Sequence, residues 1–212
     1  MRPAPLIAGA LALVALIGAA ALVWTLHAPD GRPAAESGAT TSRAVEDGPQ
    51  VGGPFSLETT DGARMTQADF EGKPYAVFFG FTHCPDVCPT TMNEMAAWID
   101  ALGPAADRMR FAFVTVDPER DDIETLSYYT QAFSERIIPL SGTQAEIDAV
   151  VEAFKIYAQK VELEGGDYTM NHTAAVYLMD SNGRFVDIIS FKDGEEVALR
   201  KLRALIDGAP TS

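Results

Sequence analysis

Strand-like and helix-like segments alternate along most of the chain and end in a hairpin and a closing helix, which predicts a thioredoxin-like α/β domain. Three observations carry that prediction. Tyr75 to Thr82 is a continuous apolar run, as expected of a strand buried on both faces. Cys84 and Cys88 follow it directly and stand just before a helical pattern. Two apolar segments, Ala174 to Met179 and Phe185 to Phe191, flank the turn-rich Asp180-Ser-Asn-Gly183 and read as a late β-hairpin.

The domain is expected to begin near Phe55, where Phe55-Ser-Leu57 and the following Thr-Thr-Asp-Gly give a short strand and a turn. Thr91 with Glu94 has the pattern of a capping box, and Met92, Met95, Ala96, Ile99 and Leu102 follow at helical spacing until Gly103-Pro104 stops the helix. Phe111 to Val116 reads as the next buried strand. Asp121 with Glu124 is expected to cap a helix carrying Ile123, Leu126 and Phe133, and Thr143 with Glu146 another carrying Ile147, Val150, Val151 and Phe154. Val161 to Leu163 and the Gly165-Gly166 turn suggest a small hairpin before His172. The last helix is expected from about Asp193, with Glu196 completing its cap, Val197, Leu202, Leu205 and Ile206 on its apolar face, and Gly208 at its end.

A second organising feature lies at the N-terminus. Leu6 to Leu26 holds no charged residue, which is about the length needed to cross a hydrocarbon core of roughly 30 Å as a helix. Arg2 precedes it and no Lys or Arg follows until Arg32, so residues 1–5 are expected in the cytoplasm and the remainder outside. The organisation expected is therefore a cytoplasmic start (1–5), a transmembrane helix (6–26), a flexible Ala/Gly/Pro/Ser-rich linker (27–54), a folded domain (55–207) and a short tail (208–212). A cleaved signal peptide is the competing reading, with small residues from Gly18 to Ala21 as a protease site. Both readings export the domain, to the periplasmic side of an inner membrane, where two neighbouring thiols oxidise unless reduced or metallated.

The net charge of −14 excludes nucleic acid as an expected partner, because phosphate binding needs a basic surface. A cation or a basic protein is the better electrostatic match. Among the acidic residues, the cluster Asp117, Glu119, Asp121 and Asp122 reads as turn and helix-cap chemistry rather than as a docking surface, and Asp86 is left open.

The chain has two cysteines, Cys84 and Cys88, with three residues between them. Their place after a buried strand and at the start of a helix favours thiolate, through the partial positive charge of the helix terminus. Thiolate attacks disulfides and also binds metals, so position alone leaves a redox pair and a metal site both open. Dithiol oxidoreductases separate their cysteines by two residues; the longer Pro85-Asp86-Val87 loop lets both sulfurs face one centre. In a thioredoxin-like fold the segment feeding the strand that opens the final hairpin lies against the cysteine motif, which puts His172 within reach. Two thiolates and an imidazole suit Cu(I), and can serve Cu(II), whereas zinc would want a fourth ligand or an open position. A structural disulfide or a pair of inert buried thiols is the plain alternative. His83, next to Cys84, reads as a packing or hydrogen-bonding residue, and Met92 and Met95 as core.

FTHCPDVCP at Phe81 to Pro89, VDPERDD at Val116 to Asp122 and YTMNHTAAVYLMD at Tyr168 to Asp180 resemble the Sco/SenC family, from about Gly53 to Asp207. The resemblance implies a membrane-tethered copper chaperone of thioredoxin-like fold that serves the binuclear copper site of cytochrome c oxidase. It implies Cys84, Cys88 and His172 as copper ligands, the copper-receiving oxidase subunit as partner, and another copper chaperone as candidate donor. The alternative function is a thiol–disulfide oxidoreductase, or a redox sensor, acting through Cys84 and Cys88 on the cysteines of that site. Asn171 departs from the family, which usually has Asp before the histidine; the change removes a negative charge near the site, is expected to bear on how the imidazole is oriented and how strongly copper is held, and leaves the ligand set intact.

Overall fold

A five-stranded sheet, in the order β5 (Ile137–Leu140), β4 (Arg110–Thr115), β3 (Tyr75–Gly80), β8 (Ala175–Met179), β9 (Phe185–Ser190), organises the structure, a computed structural model that describes residues 50–211. The expected cytoplasmic start, the transmembrane helix over 6–26 and the linker as far as residue 49 lie outside the described residues. Among the described residues no helix is long and apolar enough to cross a membrane.

The central strand β3 (Tyr75–Gly80) is buried at every position. It pairs in parallel with β4 (Arg110–Thr115) and antiparallel with β8 (Ala175–Met179), so neither edge of it meets water. Alternation along β3 gives the sheet two faces. Phe79 packs on Phe154 and Tyr177, with ring centroids 5.2 and 6.1 Å away. Phe78 turns to the other side, towards Phe113 at 5.8 Å and His172 at 6.1 Å. On that second side α2 (Val87–Leu102) supplies buried Cys88, Met92, Met95 and Ile99, and α5 (Glu195–Asp207) packs against α2. Met92 and Met95 are core residues, as expected.

The parallel run continues from β4 to β5 (Ile137–Leu140) through α3 (Ile123–Gln131), and β9 (Phe185–Ser190) closes the late hairpin with β8. At the turn, Asp180 Oδ1 accepts from the amides of Asn182 and Arg184 at 2.8 and 2.9 Å, and Gly183 takes φ +73°. Outside the main sheet, β1 (Ser56–Glu58) pairs with β2 (Arg64–Thr66) ahead of the short α1 (Gln67–Phe70). After α4 (Gln144–Ala153), β6 (Ala158–Glu162) and β7 (Tyr168–His172) form a separate two-stranded hairpin.

Three expectations about helix starts are corrected. Helix α2 starts at Val87 after Asp86, five residues earlier than the Thr91–Glu94 box implied, and Thr91 lies inside it, 4% exposed. The cap of α3 is Asp122, whose Oδ1 accepts from the Thr125 amide at 2.8 Å; Asp121 is buried and serves elsewhere. The last helix starts at Glu195 after Gly194 without a side-chain cap, while Asp193 Oδ2 accepts from the Ser190 amide at 3.1 Å. The Thr143–Glu146 capping box forms as expected. Strand β5 was not anticipated: it is four residues long and contains Pro139, tolerated because β5 is an edge strand of its sheet.

Candidate metal centre

The end of β3 sets the first two donors. After Gly80 the chain leaves the sheet through Phe81, Thr82 and His83 and reaches Cys84, and α2 begins two residues beyond Pro85. The first turn of a helix leaves amides without intrahelical partners. Asp86, at the cap position, makes no side-chain cap bond. Cys84 Sγ takes that role instead, accepting from the Cys88 amide at 3.4 Å. Cys84 is half-buried and Cys88 fully buried. Gly80 is what makes room for Cys88: a Cβ there would stand 3.0 Å from its Sγ and 2.8 Å from Phe113 Cε2.

Asp121 fixes the loop that carries Cys84. Its carboxylate is buried and accepts from the Thr82 amide at 2.9 Å, the Thr82 hydroxyl at 2.5 Å and the Thr115 hydroxyl at 2.8 Å. Burial pushes its pKa up, against the hydrogen bonds from Thr82 and Thr115 that hold it down. The acidic cluster is thus not uniform. Asp122 is a helix cap and Glu119 an exposed partner of Lys160 at 2.8 Å, but Asp117 and Asp121 are buried structural carboxylates. The helix-cap reading of Asp121 is wrong, because its carboxylate points back to the cysteine loop.

His172 ends β7, paired with Ala158 of β6. Its Nδ1 lies 3.1 Å from the Thr173 carbonyl, which can only accept, so Nδ1 carries the proton and Nε2 presents a lone pair. Nε2 lies 3.3 Å from Cys88 Sγ. The edges and faces of Phe81 and Phe78 wall the imidazole, with centroids 5.7 and 6.1 Å away.

Cys84 Sγ, Cys88 Sγ and an imidazole nitrogen of His172 all fall within 4.8 Å of one another. Within that limit the Cys88 Sγ–His172 Nε2 edge is the 3.3 Å one, so the three donors are near enough to share one ion at bonds of about 2.0–2.3 Å. The hydrogen bond shared with Cys88, reinforced by the Asp86 and Cys88 amides, outweighs partial burial and brings the Cys84 thiol down from its ordinary 9 to about 5. Cys88 moves the other way, held protonated by that same shared bond and by burial. Its proton has two acceptors in reach, the Cys84 sulfur and His172 Nε2. The site therefore offers one thiolate, one thiol and an imidazole whose Nε2 faces Cys88.

His83 stays out of this cluster. It is more than half exposed, with Nδ1 3.1 Å from the Thr82 hydroxyl and 3.9 Å from Asp121 Oδ1. Asn171 is exposed and, one residue before His172 on a strand, points to the opposite face. Sequence reasoning missed Gly80, Phe81 and Asp121 as parts of the site. Thr82 and Thr115, both polar residues bordering buried strands, were the available signal for a buried acceptor between them.

Residues 43–207 match the profile of the family described as SCO1/SenC. The chain is 34% identical over 189 residues to the human mitochondrial protein SCO1 homolog, covering 88% of this chain and 62% of that protein. It is 37% identical over 176 residues to SCO1 homolog 1 of Arabidopsis thaliana, covering 76% of this chain and 52% of that one. It thus spans half to three fifths of the length of these relatives. Among solved structures it resembles Bradyrhizobium japonicum ScoI with copper bound, with 44% identity, a TM-score of 0.69, and coverage of 73% of this chain and 99% of that one. Yeast Sco1 with copper bound shares 31% identity at a TM-score of 0.69, over 75% and 90% of the two chains.

Proposed function

The chain belongs to the SCO1/SenC family, and from that premise we propose that it carries copper on Cys84, Cys88 and His172 and delivers it to the binuclear copper site of cytochrome c oxidase. The observation that carries the reading is the convergence of two sulfurs and an imidazole nitrogen within 4.8 Å. Soft thiolates with one imidazole favour Cu(I) over the harder ions. The relatives solved with copper bound support the same cargo.

Loading follows from the protonation states. Cu(I) meets the Cys84 thiolate first, at the more accessible sulfur, and His172 Nε2, 3.3 Å from Cys88 Sγ, completes the set. Cys88 joins by giving up its proton to solvent. Three ligands leave room for a cysteine of the recipient subunit to bind before one of the chain's own lets go, so release proceeds by ligand exchange. In this reading the segment over 6–26 anchors the domain at the periplasmic face of the inner membrane, and another copper chaperone is the donor. Anaerobic Cu(I) titration of the reduced full chain tests it: one equivalent should bind, and His172→Ala should bind more weakly. Unchanged affinity in that variant would remove the histidine from the site.

A second reading, reduction of the recipient's cysteines, is favoured by the low pKa of Cys84 beside a second thiol. It needs the cysteines and not His172, so disulfide turnover that survives His172→Ala separates it from copper carriage.

A further inference from the structure

The hairpin β6–β7 brings His172 to the cysteines, yet among the described residues it shares no ladder with the five-stranded sheet. Beside it lies a cleft of about 310 Å³, walled by Val116 and Asp117 after β4, Ile147 and Val151 of α4, and Ala158 and Met170 of the hairpin. A two-stranded ribbon is marginal alone. Its stance against the domain rests on side-chain contacts: Ala158 and Met170 packed on the core, the exposed Lys160–Glu119 pair, and the cluster around Arg120.

Arg120 is the centre of that cluster. Its Nε donates to Asp117 Oδ2 at 2.6 Å, and its Nη1 donates to the Tyr168 carbonyl, at the start of β7, at 3.0 Å. The guanidinium carbon sits 3.6 Å from the centroid of the Tyr168 ring. The Tyr168 hydroxyl closes the circuit by donating to Asp117 Oδ1 at 2.8 Å. On its inner side Arg120 lies 5.9 Å from the ring of Phe81, the same ring that stands edge-on to His172 at 5.7 Å. The Arg120 side chain is 18% exposed and Asp117 2%, so both the ion pair and the stacking are shielded from water, unlike the exposed Glu119–Lys160 pair nearby.

We propose that Arg120, held between Asp117 and Tyr168, is the positioning residue that sets the His172 hairpin against the cysteine pair. The inference rests on the metal-site reading for its functional consequence. A planar fork is required: one edge pairs with a carboxylate, another with a carbonyl, and the face stacks on a phenol, which an ammonium cannot do at once. Loss of the fork leaves the sulfurs in place and lets the third ligand drift, so the metal is held by two thiolates alone.

Arg120→Ala, Arg120→Lys and Tyr168→Leu in the full chain, each with and without His172→Ala, test this. Two quantities are read: the rate of Cu(I) transfer to a chromogenic chelator, and amide hydrogen exchange of β7 in the reduced, metal-free chain. Arg120→Ala and Tyr168→Leu should speed release by about tenfold or more, Arg120→Lys should speed it less, and each effect should vanish once His172 is already alanine. The β7 amides should exchange faster while those of β3 and α2 stay protected. Equal acceleration with and without His172 overturns the proposal, as does loss of protection throughout β3 and α2 in both Arg120→Ala and Tyr168→Leu, which would mean a general role in the fold. Should the parent chain take up no Cu(I), the copper reading fails on its own. The β7 exchange then still decides the clamp, and unchanged protection in Arg120→Ala rejects it.

Discussion

Asp121 accepts hydrogen bonds from both the backbone amide and the hydroxyl of Thr82, two residues ahead of Cys84. A carboxylate 39 positions along the chain thereby sets where the first sulfur stands. Removing it takes the acceptor from three donors, the buried Thr115 hydroxyl and the half-buried amide and hydroxyl of Thr82. Asp121→Ala should lower unfolding stability by about 2–4 kcal/mol, read as a lower urea midpoint. Thr82→Val, which keeps the amide bond to Asp121, should lose less.

Gly80 is a second position where stability and site are joined. A methyl group there meets Phe113 Cε2 at 2.8 Å and Cys88 Sγ at 3.0 Å, both inside a packed core. Gly80→Ala should destabilise the domain by about 1–3 kcal/mol and weaken Cu(I) binding by displacing Cys88. Thermal unfolding and a competitive chelator titration check the two effects in one preparation.

Copper loading should depend on pH through the unequal thiols. The Cys84 thiol is lowered to about 5 and Cys88 is raised, so above about 5 the cysteine pair keeps one proton, on Cys88, that the metal must displace. Raising the pH removes that competitor, and affinity should climb by about tenfold per pH unit with about one proton released per ion. Below about 5 the Cys84 thiol is protonated as well, and the dependence should steepen. Proton release measured by calorimetry in buffers of different ionisation heat gives the count.

Asn171, the departure from the family pattern, should matter little to the metal. It is exposed and faces away from His172 along the strand. Asn171→Asp should change Cu(I) affinity by less than about threefold, since an exposed charge is screened. A larger change would mean that the strand turns at the site differently.

Cys84, Cys88 and His172 stood out in the sequence because their signals are local: a paired cysteine motif ahead of a helix, and a histidine ahead of a late hairpin. The fold class was legible for a similar reason, since β3 and β4 are long, apolar and buried on both faces. What escaped depends on partners remote in sequence. Asp121 looked like a helix cap because the Asp–x–x–Glu spacing fits one, and only the folded chain shows Thr82 and Thr115 competing for it. Thr91 looked like a helix start because the amides of the true first turn are served by a sulfur, which no capping pattern encodes. Strand β5 hid behind its proline, and the linkage of Arg120 to Tyr168 spans 48 positions.

X-ray absorption on the Cu(I)-loaded, reduced full chain tests the central claim most directly. Two sulfurs and one nitrogen should surround the copper, and His172→Ala should lose the nitrogen while keeping both sulfurs. A spectrum with no nitrogen in the parent chain, or one unchanged by the substitution, would contradict the account.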